Sequence, residues 1–362
     1  MNKLMCLLFV ILSLGLNGCE IGSSIRTNNG LLTFENSTSG VNLVLGMAIS
    51  PNGNFAYVTN SYSNNNTVSQ FSITSNGQLT PLAPATVATE SMPYAIVISR
   101  NGNFAYVTNL SSNTISQFSI TSNGQLTPLA PATVATESKP VGIVISPNGN
   151  FAYVTNSNSS TVSQFSVESN GQLTPLSPAT VATGTRPIDI IISPNGNFAY
   201  VINSNSSTVS QFSIESNGQL TPLSPATVAT ESNPLGITIS PNGNFAYVTN
   251  NSASSISQFS IESNGQLTPL SPATVLTGTG TGPRSIAITP DGRYAYVGMG
   301  GMVPIANSLI YQYRISPSGA LTPLTPAAKN SKVYYTLTID ATGRYLYGGS
   351  VLTIDLFSIG SN

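Results

Sequence analysis

Four charged side chains stand at matching points of a repeating sequence: Lys139, Arg186, Asp189 and Arg284. Each lies within two residues of a proline, in Lys139-Pro140, Arg186-Pro187-Ile188-Asp189 and Pro283-Arg284. Tyr94 and Tyr335 occupy the same offset as Arg284. Together these residues could hold a small polar or anionic ligand. Cations would meet an anionic group, a carboxylate could carry a proton, and two aromatic rings would serve as walls. A second arrangement is open to the same residues: Asp189 pairs with Arg186 or Arg284, and the other charges are solvated.

The set stands out because charge is scarce. Of 362 residues, 11 are Lys or Arg and 12 are Asp or Glu, which is 6% of the chain, against about 25% in an average soluble protein. There is no His and no Trp. A Ser-His-Asp or Cys-His machine cannot be built without His, nor can a His-ligated metal site. A net charge of −1 offers no footprint for nucleic acid. Forty per cent apolar residues with so little charge do not suit disorder. No Asp/Glu cluster suits calcium, and Asp291-Gly292 reads as a hairpin turn. Gly298–Gly301 lacks the Lys and helix of a phosphate loop and reads as a bend in a loop. Glu90, Glu137 and Glu231 read as solvent-facing. No metal and no cofactor is expected.

What must position the charged set is a tandem repeat. Asn54-Phe-Ala-Tyr-Val-Thr-Asn60 recurs at 103–109, 150–156 and 244–250, and at 197–203 with Ile202 in place of Thr. Weaker copies start at Arg293 and Arg344, giving seven copies spaced 47–51 residues apart. Each copy divides into four short extended runs. In the second they are strand A (93–99), strand B (103–109), strand C (114–120) and a short strand D within 125–136. Alternation at Ile96 and Ile98 is the β period of two. Asn101-Gly102 and Asn123-Gly124 predict type I′ hairpin turns. Pro128 and Pro131 cannot donate to a central ladder, so strand D must be an edge.

Four antiparallel strands per unit of 40–50 residues predict an all-β fold, a seven-bladed β-propeller of four-stranded antiparallel blades. The chain starts its pattern with an isolated strand D, Asn29-Gly-Leu-Leu-Thr33, and ends on a strand C with no D after it. Pairing of the N-terminal strand D with the C-terminal strands A–C would close the ring and remove an exposed edge. The seven-fold arrangement then gathers the starts of the innermost strands A into a ring at one channel mouth, which brings Tyr94, Lys139, Arg186, Asp189, Arg284 and Tyr335 together.

The N-terminus has a basic start at Lys3, an apolar run over 4–16 and then Leu16-Asn17-Gly18-Cys19. The run is short of the about 20 residues of a membrane-spanning helix and fits a secretory signal. Its ending resembles the lipobox of bacterial lipoproteins. That resemblance implies cleavage before Cys19, lipidation of Cys19 and membrane attachment through that lipid. An ordinary signal peptide with a chance Cys is the alternative. The expected organisation is a signal peptide at 1–18, a lipidated Cys and tether at 19–24, and the propeller at 25–362. Glu20 after the Cys favours the outer membrane of a Gram-negative cell envelope, facing the periplasm or the surface.

Tyr57-Val-Thr-Asn60 and the preceding Ser50-Pro-Asn-Gly53 resemble the repeat of YVTN-type β-propellers. Gln70-Phe-Ser-Ile73 followed by Asn76-Gly-Gln-Leu-Thr-Pro81 is similar to seven-bladed lactonase-type propellers, a group that includes phosphogluconolactonase-like and muconate cyclase-like proteins. The resemblance implies a site that includes a Gly-Pro-Arg-His segment. Here it reads Gly282-Pro283-Arg284-Ser285, so the Arg matches and Ser replaces the His. The sequence therefore favours a non-catalytic, lipid-anchored binding scaffold for an envelope protein or glycan, expected to be monomeric. The alternative is a lactonase-like hydrolase or cyclase at the channel mouth, with Arg186, Asp189 and Arg284 as its catalytic candidates. A quinone-dependent oxidoreductase of propeller type would carry recurrent Trp, which this chain lacks.

Overall fold

A computed structural model describes residues 29–62, 66–278, 280–300, 309–325, 328–329 and 332–360. The expected signal peptide at 1–18 and the expected lipidated Cys19 and tether at 19–24 lie outside the described residues. Seven antiparallel sheets follow one another along the chain. In the third, strand A is Pro140–Ile145, strand B Phe151–Asn156, strand C Thr161–Val167 and strand D Leu173–Ala182, hydrogen-bonded in that order. The other innermost strands are Met47–Ile49, Pro93–Ile98, Pro187–Ile192, Pro234–Ile239, Pro283–Ile288 and Thr336–Ile339, for blades 1, 2, 4, 5, 6 and 7. Each packs against the next, and Thr336–Ile339 packs against Met47–Ile49, so the seven strands enclose a channel.

Closure follows the expected route. The last sheet runs Leu32–Thr38, Ile354–Ile359, Tyr345–Gly349, Thr336–Ile339. The N-terminal strand pairs from Leu32 with Ile359 to Thr38 with Ile354, so the outermost strand of blade 7 comes from the other end of the chain.

The repeated aromatics hold the blades to each other. The Tyr of each strand B is buried and donates to the carbonyl of a turn glycine in the next blade. Tyr153 reaches Gly218 at 2.7 Å and Tyr200 reaches Gly265 at 2.7 Å. Tyr296 reaches Gly30 at 2.8 Å and Tyr347 reaches Gly77 at 2.8 Å, which carries the pattern across the closure. Burial pushes these phenols above their ordinary range and keeps them protonated donors. The glycine is required twice at this turn. Gly218 has φ +83°, and a Cβ there would come within 2.2 Å of the Phe151 ring. Apolar side chains fill the space between sheets, as Ile190, Ile192, Val201 and Phe212 do beside blade 3. Each such fully buried side chain contributes about 1.5–3 kcal/mol.

Two local expectations are corrected. Neither the A–B nor the C–D turns are type I′, which needs positive φ at both central residues: Gly102 and Gly124 are left-handed, whereas Asn101 and Asn123 are not. In Ser50-Pro51-Asn52-Gly53 only Gly53 has positive φ, at +74°. Gly53 N–H donates to Ser50 O at 2.8 Å, and the Ser50 hydroxyl accepts Phe55 N–H at 2.9 Å. Pro51 suits the first central position of a turn that a left-handed glycine then completes. Strand D is also longer than expected, ten residues at Leu126–Ala135. A bulge between Ser116 and Phe118 lets the strand continue past Pro131. There Gln117 Nε2 donates to Pro131 O at 3.2 Å, while its Oε1 accepts Leu173 N–H of the next blade at 2.7 Å. Strand D is an outer edge, as its prolines require.

Candidate functional site

The start of each strand A is fixed by a repeated device. The residue before the Pro position is left-handed in six blades: Leu43, Met92, Lys139, Arg186, Asn233 and Gly282, with φ between +45° and +62°. A non-glycine residue there costs of order 1–3 kcal/mol. Its carbonyl is tied to the B–C loop of the same blade. Lys139 O accepts Ser157 N–H at 2.9 Å, and Arg186 O accepts Ser204 N–H at 2.9 Å. The backbone at these points is therefore held firmly, while the Lys139 and Arg186 side chains are exposed. Asn233 and Gly282, residue types that favour this conformation, were the sequence signal for it.

Inside the ring, the Thr of the repeat latches adjacent blades. The hydroxyls of Thr59, Thr108, Thr155 and Thr249 donate to Tyr94, Val141, Ile188 and Arg284 carbonyls at 3.0, 2.7, 3.3 and 3.0 Å. Three of them also accept an N–H from their own strand A, at Gly46, Ala95 and Gly142. Strand A is thereby set in place just where its first residues meet the channel.

The mouth of the channel is a cavity of about 430 Å³, and Tyr94, Arg186, Asp189, Arg284 and Tyr335 all line it. Lys139 does not. It lies in a neighbouring depression of about 480 Å³ that shares Tyr94 and Arg186 with the mouth, so it forms a cationic shoulder. Of the six residues expected to converge, the structure brings five to one cavity and puts the sixth beside it. Asn233, which sequence reasoning passed over as uncharged, also lines the mouth. Glu90, Glu137 and Glu231 are exposed.

Arg284 is clamped between two tyrosines. Its Nη2 donates to the Tyr94 hydroxyl at 3.2 Å, and its Cζ lies 4.9 Å from the centre of the Tyr335 ring. A cation over an aromatic face is attracted by the ring's quadrupole. Gly300 makes room for this arginine, since a Cβ there would lie 3.2 Å from Arg284 Cδ. Gly298 is not part of a loop bend, as its sequence suggested. It belongs to strand B, Tyr294–Met299, and its missing side chain leaves space for Ser285 Oγ and Tyr334.

Asp189 has no cationic partner among the described residues, where the ion pairs are Arg293–Asp291 and Lys332–Asp355. The pairing of Asp189 with Arg186 or Arg284 that its sequence allowed is not formed. The carboxylate instead accepts the N–H of Ile190 at 2.9 Å and a backbone hydrogen bond from Ile237 in blade 5. Burial in the channel wall pushes its carboxyl up to about 7, and the two backbone donors offset only part of that rise. A carboxyl poised there can take a proton and give it back near neutral pH. One N–H of Arg284 is engaged by Tyr94, among the described residues, and a guanidinium carries five. The mouth thus combines a proton-transfer group with donors suited to a developing oxyanion.

Sequence reasoning missed a second charged cluster. Lys332 Nζ lies 2.7 Å from Asp355 Oδ1, Tyr334 donates to Asp355 Oδ2 at 2.7 Å, and Ser37 of the N-terminal strand donates to Oδ1 at 2.7 Å. Asp355 replaces the Ser of the strand C repeat, and that single substitution was its signal. The cluster clasps the ring closure rather than the channel mouth.

Residues 23–300 match the family model described as lactonase, 7-bladed β-propeller. Among solved structures, a candidate 6-phosphogluconolactonase from Bacteroides fragilis aligns with a TM-score of 0.68 and 25% identity, over 79% of this chain and 84% of its own. The periplasmic gluconolactonase of Pseudomonas aeruginosa aligns with a TM-score of 0.66 and 21% identity, over 79% and 85%. A chain of Kuenenia stuttgartiensis hydrazine synthase aligns with a TM-score of 0.70 and 17% identity, over 90% and 98%. The last two share the fold alone. No curated protein matches the chain by sequence.

Proposed function

This chain belongs to the seven-bladed β-propeller lactonase family, and from that premise we propose that it hydrolyses a small lactone of a polyhydroxylated acid at the channel mouth. The observation that carries the reading is Asp189. It is a carboxyl with a proton affinity near neutral, lining the same cavity as Arg284 and Arg186. Family membership and the 25%-identical relative support this reading over a non-catalytic scaffold.

In the proposed reaction the lactone carbonyl oxygen faces Arg284, and a water lies between its carbon and Asp189. Asp189 takes a proton as the water oxygen bonds to the carbonyl carbon. Arg284 stabilises the negative charge that forms on the oxygen. Collapse of the tetrahedral intermediate breaks the ring C–O bond, and the proton on Asp189 passes to the departing alkoxide. The product is the ring-opened hydroxy acid, which ionises in solution. No His is needed, because a carboxyl of suitable pKa performs the same transfer. Arg186, with Lys139 on the shoulder, suits an anionic substituent of the substrate. The same reading has the domain tethered to the outer membrane of a bacterial envelope through lipid on Cys19.

Purified protein incubated with aldonolactones, with and without a phosphate group, tests the activity. Ring opening above the spontaneous rate for at least one is expected. Rates equal to the buffer blank across the panel would count against it.

A further inference from the structure

Blade 4 is unlike its neighbours at one internal pair of positions. Where blades 1, 2, 3 and 5 have the latching Thr on strand B, blade 4 has Ile202, fully buried and paired across the ladder with Asp189. The positions equivalent to Asp189 are Gly46, Ala95, Gly142, Gly236, Ser285 and Thr336, so the one carboxylate of this ring faces the one Ile. The two departures are complementary. The Thr hydroxyl that would tie blade 4 to blade 5 is gone, and Asp189 itself reaches blade 5 through Ile237. Gly142 on the other side makes room, since a Cβ there would lie 3.0 Å from Asp189 Oδ1.

The Thr hydroxyl would not be a distant bystander. In blade 5 a Cβ on Gly236 would lie 3.1 Å from Thr249 Oγ1. The same hydroxyl at position 202 would stand beside Asp189 Cβ, where the carboxylate, as an ionised acceptor, would compete for the one proton that the other latches give to the next blade's carbonyl. A hydroxyl donating to a carboxylate favours the charged form and weakens proton binding. We propose that Ile202 is a positioning residue for Asp189, which withholds that hydroxyl and leaves the carboxylate only backbone donors where the channel wall meets the cavity. The inference rests on Asp189 as the proton-transfer group of the site, and it deepens that assignment.

Other charged and titratable groups also surround Asp189. Arg186, Arg284, Tyr94 and Tyr335 face it from the cavity. Tyr153 and Tyr200, on the strands packed beside it, have their hydroxyls on Gly218 and Gly265. The innermost strands on either side, Pro140–Ile145 and Pro234–Ile239, carry no titratable side chain.

Carbon NMR of protein labelled at aspartate carboxyls tests this without turnover. The chain has four aspartates, Asp189, Asp291, Asp340 and Asp355, and Asp189→Asn identifies the relevant signal. Ile202→Thr restores the residue found in four other blades, so it is compatible with the fold. It should move the Asp189 midpoint down by about one pH unit, a tenfold loss in proton affinity. Ile202→Val, which adds no hydroxyl, should leave it in place. An Ile202→Thr midpoint equal to wild type, or an Ile202→Val midpoint that moves as far, would overturn the proposal. Because the readout is a titration, the role of Ile202 is decided even in a protein inactive on every lactone.

Discussion

Arg284 Nη2 donates to the hydroxyl of Tyr94 at 3.2 Å, a contact between residues 190 positions apart in the chain. It joins blade 6 to blade 2 across the channel mouth, with Tyr335 of blade 7 flanking the guanidinium. Arg284→Ala should lower kcat/KM for lactone opening about 100-fold, the usual effect of removing an oxyanion donor. Tyr94→Phe removes a hydrogen bond worth about 0.5–1.5 kcal/mol and should cost less than about tenfold. Both variants should melt close to wild type, since their side chains line a cavity rather than the inter-blade core. Equal losses in the two variants would contradict the division of roles.

The pH dependence of activity and that of stability should run in opposite directions. Asp189 must be ionised to accept a proton, so kcat/KM should rise with pH and reach half its maximum near pH 7. Folding raises the proton affinity of this carboxyl from its ordinary value of 3.8 to about 7. Its contribution to stability is therefore complete below about pH 4 and is lost as pH rises through about 7. Asp189→Asn avoids that loss. Its melting temperature should exceed wild type at pH 8, and the gap should close towards pH 4. A gap that is constant or reversed across that range would contradict the sign.

The architecture was legible because each blade repeats the same physical instructions. Asn-Gly at the C–D turn, alternating residues in strand A and the edge prolines of strand D predict one unit, and seven units with a split last blade predict a closed ring. The turn type was not legible. Asn-Gly is compatible with two hairpin geometries, and Pro51 with the Ser50 hydroxyl selects the one with negative φ at Asn52. The mouth residues could be placed from symmetry alone, and five of the six line one cavity. Lys139 falls on the shoulder although Arg186 and Asn233, at the same offset before the Pro position, line the mouth, so the offset alone does not settle which way an exposed side chain lies. The partner of Asp189 could not be read, because a backbone N–H of Ile237 carries no sequence signal. The exchange of Thr for Ile202 was visible, but its meaning depends on the ladder register that faces it with Asp189.

Closure of the ring should be sensitive to Lys332. Asp355 is buried and relies on Lys332, Tyr334 and Ser37, while Lys332 is 34% exposed. Removing one partner of a fully buried pair costs about 3–5 kcal/mol, and the partial exposure of Lys332 lowers the expectation to about 2 kcal/mol for Lys332→Ala. Hydrogen exchange should quicken first along Leu32–Thr38, the strand that completes blade 7. Loss of protection spread evenly over all blades would contradict a local clasp.

Attachment through Cys19 is tested apart from catalysis. Expressed in a bacterial host, the full chain should fractionate with membranes, and Cys19→Ser should be released. Membrane retention of the variant would contradict lipidation at this residue.

Proton transfer by Asp189 in lactone opening is tested most directly by steady-state hydrolysis at pH 7 with wild type and Asp189→Asn side by side. The variant should lose about 100- to 10,000-fold in kcat while keeping its fold by circular dichroism. A folded Asp189→Asn protein that opens the lactone at the wild-type rate would contradict the assignment.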